Sequence, residues 1–174
     1  MEVVISNDPA AKALKVAERH RVPSVAVIPS GEGREQHDRK LDAALRAHGV
    51  VGPKRLILLA GYMRVLSRGF VERHAGHMMN IHPSLLPSFP GLDAQAQALS
   101  YGAKVAGCTV HFVVPEVDAG PIIAQKIVPV EEGDTESTLS ARILKQEHLL
   151  YPYAVKLFVE GRIRVEGRRV RVRA

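Results

Sequence analysis

Short apolar runs alternate along the chain with longer amphipathic stretches, and this alternation restricts the fold more than any other feature of the sequence. Met1–Ser6, Val22–Ile28, Arg55–Ala60, His77–Ile81, Gly107–Val113 and Ile122–Val130 read as strands. A helix ending near His20 follows Asp8 and Pro9, a capping residue and a first-turn proline, and further helices are expected over Arg34–His48 and Leu92–Tyr101. Thr135–Val159 is a long helical stretch that Pro152 should break or kink. Arg55–Ala60 is the clearest buried strand, because its unbroken apolar character suits a sheet covered on both faces. The order predicts an open, doubly wound, mostly parallel α/β sheet with helices on both faces. Ligands of such sheets bind beyond the carboxyl ends of strands, here the loops after Leu59, Ile81 and Val113.

With 174 residues and no shift in composition, the sequence is expected to form a single domain, residues 1–174. Its apolar runs, such as Leu56–Ala60, are far too short to span a bilayer, and Met1–Ser6 lacks the basic and apolar regions of a signal peptide, so the expectation is a cytoplasmic protein. The lone cysteine, Cys108, lies in an apolar setting and reads as a buried core thiol. A formal charge of +6 suits an anionic small substrate and equally nucleic acid. Arg162, Arg164, Arg168, Arg169, Arg171 and Arg173 contribute much of it, alternating with Ile163, Val165, Val170 and Val172 around a Glu166-Gly167 turn. That is the pattern of a terminal hairpin with one packed and one wet face, and no aromatic residues are interleaved to stack on bases.

Three loops carry candidate chemistry. In Asn80-Ile81-His82-Pro83-Ser84-Leu85-Leu86-Pro87 a strand ends on an amide and an imidazole, and two prolines stiffen the loop beyond it. Two residues apart in extended chain, Asn80 and His82 point to the same side, as an amide donor and a potential cation for a developing oxyanion. Val113–Pro121 places Asp118 on a turn bounded by glycine and proline, where its carboxylate could meet the imidazole; a turn aspartate bonding its own backbone is the competing reading. In Ala60–Leu66, Gly61 allows backbone to approach a flat ligand, although a simple strand-to-helix turn explains it as well. His74 and His77 have no acidic or thiol partner in their sequence neighbourhood and read as exposed loop residues, and no metal-ligand spacing occurs among the eight histidines.

Taken together, Asn80-x-His82-Pro83-Ser84-Leu85-Leu86-Pro87, Phe89-Pro90-Gly91, Gln97-Ala98-Leu99, Thr109-Val110-His111-Phe112, Asp118-Ala119-Gly120-Pro121 and Gln146-Glu147-His148 resemble the glycinamide ribonucleotide formyltransferase family over essentially the whole chain. The resemblance implies the formyltransferase fold and transfer of a formyl group from 10-formyltetrahydrofolate, a cosubstrate, to the amine of glycinamide ribonucleotide in purine synthesis, with no metal. It makes Asn80, His82 and Asp118 the catalytic residues. Arg34, Met63, Arg64, Val65, Leu66, Asn80, Val114, Pro115, Glu116, Val117 and Asp118 would border the folate, and Leu144, Lys145, Gln146 and Glu147 the ribonucleotide. The implied partners are small molecules, with no nucleic acid and no membrane; a homo-oligomer stays open.

The family's opening strand and Gly-rich phosphate loop have no counterpart before Met1-Glu2-Val3-Val4, which matches the family's second strand. The expectation is a chain truncated at its N-terminus relative to the family, with its first strand missing; were the chain complete as given, weak folate binding and poor capture of the ribonucleotide would be expected. Competing readings are another formyl-folate enzyme, of the methionyl-tRNA formyltransferase or formyltetrahydrofolate hydrolase type, and a non-catalytic binding protein.

Overall fold

The computed structural model describes residues 1–173, which form two compact units. The first comprises Met1–Leu56 with Arg64–His74, and the second residues 57–63 with residues 75–173.

In the first unit, β1 (Val4–Ser6) and β2 (Ser24–Ala26) pair in parallel, joined through α1 (Lys12–Arg19). Asp8 does not cap α1 as expected: its Oδ1 accepts the Ala10 N–H at 2.8 Å, closing a turn, and the helix starts later with Ala11 at its N-cap. The local Asx turn satisfies the carboxylate before the helix begins. The next helix, α2 (Arg34–Ala47), buries Asp38 and Asp42 one turn apart, and these two carboxylates hold a short helix whose bounds no local pattern marks, α3 (Arg68–Arg73). Asp38 Oδ2 accepts the Ser67 N–H at 2.6 Å, while Ser67 Oγ caps α3 by accepting from Phe70 N. At the other end, Asp42 Oδ2 accepts from the Arg73 guanidinium at 2.7 Å and Oδ1 faces His74 Nε2 at 2.7 Å. His74 is therefore a buried, acid-paired residue and not an exposed loop histidine; its partner comes from a segment 32 residues earlier, which no local pattern reveals. Asp42→Ala is expected to cost about 3 kcal/mol, because it strands one buried imidazole and one guanidinium. A urea unfolding midpoint lowered at unchanged slope checks this; an unchanged midpoint contradicts it.

The second unit is built on a four-stranded sheet in the order β3 (Ile57–Leu59), β4 (Met78–His82), β5 (Val105–Phe112), β6 (Ile122–Pro129). β3 and β4 are parallel, whereas β5 and β6 return antiparallel, and among the described residues no sheet closes into a barrel. β3 is less buried than its apolar sequence predicts: Leu58 is 37% exposed, and among the described residues the strand has a hydrogen-bonded neighbour on one edge only. α4 (Ala94–Tyr101) links β4 to β5, and α5 (Glu136–Val159), capped by a reciprocal Thr135–Thr138 box, packs on β5 and β6. Pro152 does not break α5, which runs unbroken through it. An interior proline costs roughly 3 kcal/mol, and packing offsets that here: Leu150, Ala154 and Leu157 are buried around it, and the Tyr151 hydroxyl lies 2.9 Å from the carbonyls of both Leu59 and Met79.

The terminal hairpin forms as β7 (Ile163–Glu166) and β8 (Arg169–Val172), with Gly167 and Arg168 as its two-residue loop rather than Glu166 and Gly167. Glu166 instead ends β7, paired with Arg169, and its carboxylate accepts from Arg171 at 2.6 Å. No helix among the described residues is long and apolar enough to cross a membrane.

Candidate active site

Register places the chemistry. β4 and β5 pair Asn80 with His111 and His82 with Thr109, and β5 and β6 pair Thr109 with Gln125. Residues directly opposite share a face, as do residues two apart, so Asn80, His111, His82, Thr109 and Gln125 all lie on one side of the sheet. Met79, Cys108 and Val110 alternate to the other side and are fully buried. Burial pushes the Cys108 thiol up to about 11, with the charge of Glu147 adding to the rise, which keeps it a neutral core group as expected.

The loop between β5 and β6 brings Asp118 to this face. Asp118 takes a left-handed conformation (φ 51°), which aspartate and asparagine tolerate better than most residues. Its Oδ2 accepts the Gly91 N–H at 2.8 Å and lies 3.3 Å from His82 Nδ1, while Oδ1 lies 3.6 Å from His111 Nε2. Burial opposes ionisation of this carboxyl. The His111 ring, the Gly91 N–H and the charge of His82 outweigh it and hold Asp118 below the ordinary aspartate range. The competing reading of Asp118 as a turn residue bonding its own backbone is not what the structure shows, since its partners lie on other segments.

His82 is buried, with an acceptor at each ring nitrogen: Asp118 at Nδ1 and the Phe89 carbonyl, 2.9 Å away, at Nε2. Such a pair of acceptors suits the imidazolium form, in which both nitrogens donate. His111 is held differently. Its Nδ1 donates to its neighbour's carbonyl, Phe112 O, at 3.0 Å, so Nε2, 3.3 Å from the Asn80 side-chain amide nitrogen and 3.6 Å from Asp118 Oδ1, accepts from Asn80 while the ring is neutral and donates to Asp118 once the ring is protonated. One Asn80 N–H is thereby engaged and the other remains available on a half-buried, accessible side chain.

A β-bulge between Val110 and His111 adds Ile123 to β6 at the end of the sheet where these groups converge. Close backbone contact completes the loop: a side chain at Gly120 would put its Cβ 1.7 Å from the Phe112 carbonyl oxygen, the same oxygen that fixes His111.

Of the residues expected at the site, Asn80, His82 and Asp118 come together in the second unit. Met63 belongs to it too, 76% exposed, and Val114–Asp118 form the half-buried to exposed loop after β5. Leu144, Lys145, Gln146 and Glu147 lie on one turn of α5, where burial raises the Glu147 carboxyl above its ordinary value against the opposing charge of His148. Arg34, at the start of α2, and Arg64, Val65 and Leu66 belong to the first unit; only Leu66 of these is buried. Sequence reasoning assigned no role to His111, to the Phe89 carbonyl or to the Gly91 amide. The strand Thr109–Phe112 announced alternation, but which of its residues faces Asn80 depends on register. Among the described residues no group of three or more His, Cys, Asp or Glu is placed to hold a metal.

Residues 1–155 match the formyl transferase family. The trifunctional purine biosynthetic protein adenosine-3 of Homo sapiens is 43% identical over 95% of this chain, which spans 16% of that protein's length. A phosphoribosylglycinamide formyltransferase of Bacillus subtilis is 44% identical over 88% of this chain and 77% of its own. The crystal structure of glycinamide ribonucleotide transformylase 1 from Symbiobacterium toebii has a TM-score of 0.95 to this chain at 49% identity, covering 100% of this chain and 81% of that one.

Proposed function

This chain belongs to the formyl transferase family, and we propose that it transfers the formyl group of 10-formyltetrahydrofolate to the amine of glycinamide ribonucleotide, a step of purine synthesis. The observation that carries the reading is the convergence of Asn80, His82 and Asp118, with an acceptor at each His82 ring nitrogen and a spare N–H on Asn80. The relatives named for this activity support the choice of acceptor.

The chemistry assigns each group a task. Attack of the amine on the formyl carbon forms a C–N bond and pushes an electron pair onto the formyl oxygen. The free Asn80 N–H stabilises that oxyanion, together with the His82 Nε2–H as it leaves the Phe89 carbonyl. Asp118 keeps His82 cationic and takes the amine proton through water, passing it on to the folate nitrogen as its bond to the formyl carbon breaks. His111 aims the Asn80 amide. In this reading Met63, Asn80 and Val114–Asp118 meet the formyl folate, and Leu144, Lys145, Gln146 and Glu147 the ribonucleotide. The part of Arg34, Arg64, Val65 and Leu66 in folate binding rests on the family resemblance.

Release of deformylated folate, followed spectrophotometrically with and without glycinamide ribonucleotide, tests the proposal. Release is expected to require the ribonucleotide; release at an equal rate with water alone would make the chain a hydrolase and overturn the assignment.

A further inference from the structure

We infer that Gln125 is a positioning residue for the His82–Asp118 pair, acting through the Pro83–Gly91 loop without touching the reacting atoms. Gln125 on β6 faces Thr109 on β5, which faces His82 on β4, so the three side chains form a row on one face of the sheet. The Gln125 amide nitrogen donates one N–H to the Leu86 carbonyl at 2.9 Å and the other to Thr109 Oγ1 at 3.0 Å. Thr109, fully buried, donates its own proton to the Ser84 carbonyl at 2.7 Å and accepts the Leu86 N–H at 3.1 Å. The hydroxyl's one donor and two acceptor sites are all in use, and both main-chain polar groups of Leu86 are met by these two side chains.

The segment pinned at Leu86 reaches the site a few residues on. The Ser88 N–H bonds the Leu85 carbonyl and Ser84 Oγ bonds the Ser88 carbonyl, folding the next residues onto the pinned segment. Phe89, in a left-handed conformation, then turns its carbonyl onto His82 Nε2, and Gly91 donates its N–H to Asp118 Oδ2. One loop thus supplies the imidazole's acceptor and the carboxylate's donor. A shift of the loop slackens both members of the pair together, and catalytic geometry is sensitive to displacements of an ångström.

The kinetic part of the test rests on the formyl-transfer reading; the spectroscopic part does not. Gln125→Leu removes both donors at similar size, and Gln125→Glu, which keeps the shape and solubility but loses the amide donors, serves should the leucine variant fail to fold. In the ligand-free chain, amide exchange at Leu86 and Gly91 is expected to quicken about tenfold. The His82 Nε2–H proton resonance, protected by Phe89 in the parent chain, is expected to broaden into exchange with water. In turnover, kcat is expected to fall about tenfold with KM for both substrates held within about twofold. Unchanged exchange and an unchanged His82 resonance, or an effect on KM alone, would confine Gln125 to scaffolding and overturn the inference. If the parent chain transfers no formyl group, the functional reading fails, while the exchange and resonance data still decide the role of Gln125.

Discussion

Asp118→Asn is expected to slow formyl transfer about a thousandfold while leaving the chain folded. Asparagine tolerates the left-handed backbone at this position, and its amide oxygen can still accept the Gly91 N–H, so neither the loop nor its anchor is lost. The substitution removes the negative charge 3.3 Å from His82 Nδ1, and with it the counter-charge that favours the imidazolium and the base that moves the amine proton. The loss should fall on kcat, with KM little changed, because the charge acts on the transition state. A variant retaining a tenth or more of the parent kcat would remove Asp118 from the mechanism. The depressed ionisation of Asp118 also fixes a pH dependence of stability. A carboxyl that ionises more readily folded than unfolded contributes stability above its unfolded value, about 3.9, and that contribution is lost as pH falls through its lower folded value. Urea unfolding of the parent chain should therefore weaken over this acid range, and Asp118→Asn should flatten that part of the dependence.

Gly120→Ala is the second large effect, and it acts through space instead of charge. The added carbon would stand 1.7 Å from the Phe112 carbonyl oxygen, a separation that no rotamer change relieves because both partners are main chain or fixed to it. Either the Val114–Asp118 loop moves out or β5 moves in, and the Phe112 N–H to Pro121 carbonyl bond, 2.9 Å long, opposes both. Overpacking of this kind costs about 3 kcal/mol, enough to lower the melting temperature by several degrees. Activity should fall further than stability, since the Phe112 oxygen sets the His111 tautomer and the loop carries Asp118. Full activity with a parent melting temperature would show that the loop has slack there.

The open α/β arrangement was legible because periodicity is local: strands at Val4–Ser6, Met78–His82 and Val105–Phe112 lie where apolar runs put them. So was the shared face of Asn80 and His82, which needs only the two-residue repeat of a strand. Long-range partners were not legible. His74 looked exposed because Asp42 lies 32 residues away, and the bounds of α3 were not legible because it is six residues long, contains Gly69 and is held from outside by Asp38 and Asp42. Pro152 misled in the opposite direction, since the packing of Leu150, Ala154 and Leu157 and the reach of Tyr151 decide the helix there, not propensity. At the site, the sequence offered an amide, an imidazole and a carboxylate. That His111 orients the first, and that one loop grips the other two, depends on strand register and a bulge, which no single-strand pattern contains.

Formyl transfer to an amine through a non-covalent oxyanion is the central claim, and the fate of the formyl carbon tests it most directly. With a donor labelled at that carbon, glycinamide ribonucleotide and the parent chain, mass spectrometry should find the label in the formylated ribonucleotide, with no labelled adduct on the protein and no transfer by the His82→Ala variant. Label appearing as free formate, or retained on the chain, would contradict the account.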